Sequence, residues 1–261
     1  MLDLFAGLRV QTRVISALVL REIGSKHGSD SLSISWLLVE PILITLIVIG
    51  IHYLGAGGAA IVRDVPIVVF LLTGYMPHLM FRHSGLAGAS AWTSNSGLLY
   101  HRQVHPIDLV LARLFVEIVT VLIGFIIVYI LFYAFGQVGW PEYMPYIFLG
   151  WFLHIWFIIV ICFFFTGGCF IFPLLRRLFQ PIVLLGLPAY CAFFMLSWIT
   201  TDVQWWILLF PSANATEIMR YGYFASSAST YFSIPYTIEC LIFLTFFSLV
   251  VMLRGRRYLE L

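Results

Sequence analysis

The chain has 261 residues, of which 62% are hydrophobic and 10% charged, and its formal net charge is +2. Soluble domains average roughly 45–50% apolar and 25% charged residues, so a soluble globule, which needs a polar shell, is excluded. Composition predicts an all-α integral membrane protein, because helices satisfy their backbone hydrogen bonds internally in lipid.

Residues 1–30 have the pattern of an amphipathic cytoplasmic helix. The polar stripe contains Arg9, Thr12, Arg13 and Ser16, and the opposite stripe contains Leu8, Val14, Ile15 and Leu18. We expect this helix to lie on the inner leaflet. A cleavable signal peptide is not expected, because Asp3 and dispersed arginines interrupt the apolar pattern.

Residues 31–253 contain six intervals with the roughly 20 mainly apolar residues that a spanning helix needs. The predicted spans are Ile34–Leu54, Pro66–Ala87, Leu109–Phe135, Pro145–Phe172, Pro181–Thr200 and Pro235–Leu253. The basic tail, residues 254–261, follows the last span. The sequence thus predicts six transmembrane helices with both termini in the cytoplasm.

The distribution of basic residues supports this orientation, since cytoplasmic loops are enriched in Lys and Arg. The inner side would hold Arg9, Arg13, Arg21, Lys26, Arg102, Arg113, Arg176, Arg177, Arg254, Arg256 and Arg257. The outer side would hold Arg63 and Arg220.

Two connecting segments carry further patterns. Between the second and third spans, about residues 92–106, turn formers, histidines and a proline predict a short cytoplasmic helix that a partner can grip. An ordinary connecting loop is the alternative. Between the fifth and sixth spans, about residues 202–230, a partly apolar stretch predicts a broken or re-entrant helical pair at the outer face.

Ionisable residues inside spans are costly and point to function. Arg82, Glu117 and Glu239 fall inside predicted spans, and Glu40 lies near a span end. Turned toward the bundle interior, Arg82 could meet a lipid phosphate or an acidic sugar. Alternatively, it extends to the headgroups or pairs with a carboxylate such as Glu117.

The motifs of nucleotide, metal and catalytic sites are missing. Gly24-Ser25-Lys26 lacks the glycine spacing and the hydroxyl residue of a phosphate loop. The cysteines, which are Cys162, Cys169, Cys191 and Cys240, lack zinc or disulfide spacing and are expected to be reduced core residues. We therefore expect no cofactor, metal or catalytic residue on this chain.

Aromatic residues make up 17% of the chain. Most are expected at the membrane interfaces or in packing, although a passage for sugars would also use aromatic faces. The candidates for such a path or its outer gate include Trp151, Trp156, Trp198, Trp205 and Trp206.

Two stretches resemble a known family, the ABC-2-type polysaccharide-export permeases, especially their capsular polysaccharide branch. The entry to the first span matches at Arg21, Glu22, Gly28, Trp36, Glu40 and Pro41. The segment after the second span matches at Asn95, Leu98, Leu99, Pro106 and Arg113, and a weaker match covers Pro211, Glu217 and Arg220. The chain departs from the family at Ser29 and Asp30, where a basic residue is frequent.

The resemblance implies a permease of the bacterial inner membrane that exports a lipid-linked polysaccharide. It also implies a homodimer paired with two copies of an ABC ATP-binding subunit, which would bind ATP and Mg. A periplasmic adaptor and outer-membrane export proteins would receive the chain, and nucleic acid is not expected as a partner.

We assign candidate sites on this basis. Contacts to the ATPase are predicted at Asn95, Leu98, Leu99, Tyr100, Arg102, Gln103 and His105. Substrate or lipid contacts are predicted at Arg9, Arg13, Arg21, Lys26, Arg82, Tyr75, Phe81, Trp151 and Trp156. The outer gate is predicted at Trp198, Trp205, Trp206, Glu217 and Arg220.

Three alternatives remain open. An ABC-2 permease for another cargo, such as O-antigen, teichoic acid, a haem precursor or a drug, would share the architecture. An ion-coupled carrier would transport without an ATP-binding chain, although no internal repeat of the kind that many such carriers have is apparent. A membrane enzyme would show turnover alone.

Overall fold

A computed structural model describes residues 2–29, 39, 42–44, 46–47, 50–51, 61–62, 65–94, 97–98, 104–225 and 229–259. Its helices are α1 (Leu2–Ser29), α2 (Ile67–Ser94), α3 (Pro106–Ala134), α4 (Met144–Ile171), α5 (Leu174–Leu185), α6 (Thr201–Leu208), α7 (Pro211–Phe224) and α8 (Ile234–Arg256). Two 3₁₀ turns, Pro188–Tyr190 and Leu196–Trp198, separate α5 from α6. A two-residue strand β1 (Ile61–Val62) pairs antiparallel with β2 (Val65–Pro66) just before α2.

The helical architecture confirms an all-α membrane protein. Within the described part of the chain, α3, α4 and α8 are long and apolar enough to cross a membrane. They correspond to the predicted third, fourth and sixth spans. The described residues between 39 and 51, in the predicted first span, are also helical.

The central helix of the bundle is α4, which packs against α2, α7 and α8. Glycines on α4 let the neighbouring backbones approach closely. A Cβ atom on Gly150 would lie 2.9 Å from the carbonyl oxygen of Ala215 in α7, and one on Gly167 would lie 2.6 Å from that of Val251 in α8. Small residues at such contacts are the usual means by which membrane helices pack.

The N-terminal helix α1 lies along the first half of α3. Arg113 Nε donates a 2.9 Å hydrogen bond to Glu22 Oε1, and Gln11 Nε2 donates one of 3.1 Å to Asp108 Oδ1. Asp108 also accepts a hydrogen bond from the backbone N–H of His105, which caps α3, and Pro106 occupies the first turn. Polar side chains therefore attach α1 to the start of α3.

The prediction that Pro181–Thr200 forms a single helix, as the fifth span, is wrong. The helix in this region, α5, begins earlier, at Leu174, has 12 residues and is followed by the two 3₁₀ turns. Pro188 cannot donate the backbone hydrogen bond that would continue the helix, and Cys191 has a left-handed backbone with φ 47°. The irregular stretch between α5 and α6 leaves backbone carbonyls that other groups must satisfy.

Candidate functional site

The polar helix α7 is buried on every side, since each residue from Pro211 to Arg220 is buried. Its side chains bind backbone groups of the irregular segments around it. Ser212 Oγ donates to the Ala189 carbonyl at 2.8 Å, and Asn214 Nδ2 donates to the Leu208 carbonyl at 2.8 Å. Asn214 Oδ1 accepts from the backbone N–H of Ser233 at 2.9 Å. The helix thus holds together the connections before and after it.

Arg220 is the centre of this arrangement and has no exposed surface. Its Nη1 donates to the Phe194 carbonyl at 2.8 Å and its Nη2 to the Cys191 carbonyl at 2.7 Å. Nη1 also forms an ion pair with Glu217 Oε1 at 3.1 Å. The guanidinium carbon lies 4.6 Å from the centre of the Phe70 ring, within cation–π range. One buried cation therefore connects α7, α2 and the irregular segment.

The predicted gate residues separate into two groups. Trp198 is half-buried, and its ring centre lies 5.0 Å from that of Phe70, so Trp198, Glu217 and Arg220 belong to one cluster. Trp205 and Trp206 are 71% and 72% exposed on α6. The structure therefore brings three of the five predicted residues together and leaves two on the surface.

Three of the predicted substrate residues, Tyr75, Phe81 and Trp151, are buried in an aromatic cluster. Ring centres there are 6.2 Å apart for Tyr75 and His78, 5.3 Å for Phe81 and Tyr190, and 6.1 Å for Trp151 and His154. The cluster joins α2 and α4 to the first 3₁₀ turn.

Sequence reasoning missed the polar members of this cluster, which are His78, His154 and Tyr190. Tyr190 contacts both histidine rings, at 5.4 Å from His78 and 5.5 Å from His154. His154 Nε2 lies 3.0 Å from the Pro77 carbonyl, whereas His154 Nδ1 and Tyr190 Oη have no hydrogen-bond partner among the described residues. No spacing rule identifies residues that are so far apart in sequence.

The remaining substrate candidates lie elsewhere. Arg82 is half-buried, and its Nη2 lies 3.5 Å from His83 Nε2. Trp156 donates a 3.0 Å hydrogen bond to Thr245 Oγ1 and so joins α4 to α8. Arg13 and Arg21 are exposed on α1, and the side chains of Arg9 and Lys26 lie outside the described residues.

A hydrogen bond joins the two ends of the predicted ATPase-contact segment. Trp92 Nε1, on α2, donates to the Pro106 carbonyl at the start of α3, at 2.9 Å. His105 is exposed and Leu98 half-buried. The other predicted contacts, which are Asn95, Leu99, Tyr100, Arg102 and Gln103, lie outside the described residues. The two ends of the segment are therefore held side by side.

No family model matches the chain. It is 31% identical over 255 residues, 97% of this chain and 95% of the relative, to the capsule polysaccharide export inner-membrane protein CtrC of Neisseria meningitidis serogroup B. The chain belongs to the capsule polysaccharide export inner-membrane proteins.

Other relatives agree with this placement. The capsule polysaccharide export inner-membrane protein BexB of Haemophilus influenzae is 27% identical over 233 residues, 89% of this chain and 87% of BexB. The polysialic acid transport protein KpsM of Escherichia coli is 32% identical over 132 residues, 51% of this chain and 50% of KpsM. The predicted resemblance to capsular export permeases is confirmed.

Proposed function

We propose that this chain is the permease subunit of an ABC exporter that moves lipid-linked capsular polysaccharide across the bacterial inner membrane. The observation that carries the proposal is its membership of the capsule polysaccharide export inner-membrane proteins over nearly its whole length. The apolar helices α3, α4 and α8 supply a membrane-embedded scaffold. Because the sequence lacks a phosphate loop, we assign ATP and Mg binding to a separate subunit.

We propose six crossings with both termini in the cytoplasm. The crossings are the helix near residues 39–51, α2, α3, α4, the stretch from α5 through Trp198, and α8. The helices α6 and α7 would form the re-entrant outer pair. Arg220 supports a partly membrane-embedded position of this pair, since irregular backbone is tolerated at membrane depth where protein satisfies it.

The segment between Trp92 and Pro106 is our proposed docking site for the ATP-binding subunit. A displacement there would reach the first turn of α3, because the Trp92 hydrogen bond ties the two ends together. Asp108 and Arg113 would pass the displacement to α1 through Gln11 and Glu22. Nucleotide-driven movement would thereby change the position of α1 and α3 together.

The substrate would pass between two copies of the chain. Arg82 and the basic residues of α1 would attract the anionic lipid end of the polysaccharide, each at roughly 1 kcal/mol near the membrane surface. The cluster of Tyr75, Phe81 and Trp151 would have to rearrange to offer ring faces to sugars, since it is buried here. The α6–α7 pair would control exit toward a periplasmic adaptor and outer-membrane export proteins.

Gentle purification from the native membrane tests the assembly. We expect two copies of this chain with two copies of a companion that carries a phosphate loop, and ATP-dependent polysaccharide uptake in inverted vesicles. Uptake by the chain alone, driven by an ion gradient, would identify an ion-coupled carrier instead. ATP-dependent transport of a different cargo would retain the assembly and reject the polysaccharide.

A further inference from the structure

An open groove of about 990 Å³ lies between the ends of α4 and α8 and the start of α5. Its walls are apolar and include Phe164 of α4 and Val250 and Val251 of α8. The rings of Phe164 and Phe247, which both line it, stack at 5.9 Å. We call it the α4–α5–α8 groove. Its size is at the upper end of the roughly 300–1,000 Å³ of small-molecule sites.

The groove changes from apolar to cationic along α8. Arg254 and Arg257 line its rim, whereas no acidic side chain lines it among the described residues. Within that part of the chain, neither guanidinium has a hydrogen-bond or ion-pair partner, in contrast to Arg176, whose Nη2 donates to Thr93 Oγ1 at 2.5 Å. Among the described residues, two cations without a side-chain partner therefore lie beside an apolar channel.

The dimensions match one lipid chain. Phe247 and Arg254 are seven residues apart on α8, which corresponds to about 10 Å along the helix axis. One leaflet contributes about 15 Å of hydrocarbon, half of the bilayer core. A chain lying against Phe247 would place its headgroup at the level of Arg254 and Arg257, where guanidinium groups can bind a phosphate through two hydrogen bonds each.

We propose that the α4–α5–α8 groove is a binding site for an anionic phospholipid of the membrane, with one acyl chain along Phe247 and Val250 and the phosphate between Arg254 and Arg257. The site lies apart from Arg82 and the basic face of α1, so it goes beyond the proposed export function. The bound lipid would fill the space between α5 and the α4–α8 pair and stabilise their contact.

Native mass spectrometry of the full-length chain, released from an equimolar mixture of phosphatidylglycerol and phosphatidylcholine with the same acyl chains, tests the proposal. We expect the protein to retain phosphatidylglycerol in preference to phosphatidylcholine. The double variant Arg254→Ala/Arg257→Ala should weaken its binding by about 30-fold, from an attraction of about fivefold for each basic residue at a membrane surface.

Two further variants make the test specific. Arg256→Ala removes the same charge from the same helix end but faces a different groove, beside Trp92 and His105, and should leave lipid retention unchanged. Val250→Trp leaves every charge in place, fills the channel and should displace the lipid.

Equal retention of both lipids, or equal loss in Arg256→Ala, would overturn the proposal. Loss of the dimer in Val250→Trp without a change in bound lipid would show that a second copy of the chain occupies the groove, and would also overturn it.

Discussion

Arg220 binds carbonyls of Cys191 and Phe194, which lie in an irregular segment. In water these groups would be hydrated, but at a buried site each unsatisfied carbonyl and each unpaired charge raises the free energy of the folded state. The guanidinium binds two carbonyl oxygens and one carboxylate oxygen of Glu217 with a single planar group. Lysine, which carries a compact point charge, could not reproduce this planar set of hydrogen bonds.

Arg220→Met should destabilise the protein strongly, by about 3–5 kcal/mol, because it leaves Glu217 buried and unpaired. The double variant Glu217→Gln/Arg220→Met should regain part of that loss, since the uncompensated carboxylate is gone. Thermal unfolding in detergent, followed by size-exclusion chromatography, measures both. Arg177→Met, at an exposed position, is the matched control. A double variant no more stable than the single one would show that the ion pair contributes nothing beyond the carbonyl contacts.

Gly74 is the position on α2 that admits this guanidinium. A Cβ atom there would lie 2.6 Å from the Ala192 carbonyl oxygen and 2.7 Å from Arg220 Nη2. Gly74→Ala should therefore cost about 1–3 kcal/mol through overpacking. Gly24→Ala on α1 meets nothing within 4 Å and should be neutral or slightly stabilising, because alanine favours helix. Equal melting temperatures for the two variants would argue against the close approach at Gly74.

At the scale of secondary-structure elements, α1 and α3 behave as a connected pair. The Arg113–Glu22 ion pair is partly exposed, with side chains 19% and 13% accessible, so its contribution to folding stability is about 1 kcal/mol or less. Arg113 Nη1 also donates to Ser90 Oγ on α2 at 3.1 Å. Arg113 therefore connects α3 to both α1 and α2.

Glu22→Ala should lower export while leaving ATP hydrolysis by the assembled transporter largely intact, because it disconnects α1 from α3 without unfolding either. Vesicle uptake and phosphate release, measured on the same preparation, give the ratio of transport to hydrolysis. Ser16→Ala changes a side chain that bonds only its own helix, at the Thr12 carbonyl, and should keep the wild-type ratio. If Glu22→Ala lowers transport and hydrolysis equally, α1 is not part of the coupling path.

The positions of α3, α4 and α8 were predictable from hydropathy, but their ends were not. The third span was placed at Leu109–Phe135, whereas α3 begins at Pro106, because Asp108 caps the helix and is covered by Gln11 of α1. Hydropathy cannot detect such a covering helix. The break after Leu185 was missed for a different reason: the helix tolerates Pro181, so Pro188 alone does not mark its end, and the left-handed backbone at Cys191 depends on tertiary contacts.

At the scale of the whole molecule, most residues of α2 are buried. Its 28 residues are long enough to span, yet it contains polar residues such as His78 and Ser84 that are shielded by neighbouring helices. In contrast, α3 exposes Phe115, Ile126 and Ile130, which suits contact with lipid or a second copy. The two helices thus differ: α2 is covered by its neighbours, whereas α3 presents an apolar face at the surface.

The site was predictable only in part at this scale. Glu217 and Arg220 were identified from the resemblance to the export permeases, and their spacing of three residues places them on one helix face. Their partners Phe70, Cys191 and Phe194 could not be identified, since those contacts depend on how α2 and the irregular segment pack around α7. His154 and Tyr190 were missed for the same reason.

The proposed topology places the α3–α4 connection in the periplasm and the end of α8 in the cytoplasm. Glu142 and Tyr258 are exposed in these two places. A membrane-impermeant maleimide should therefore label Glu142→Cys in intact spheroplasts, but Tyr258→Cys only after permeabilisation. The native chain, whose Cys162, Cys169 and Cys191 are buried, gives the background labelling. The opposite pattern would invert the orientation and place the basic end of α8 outside, against the charge asymmetry that governs insertion.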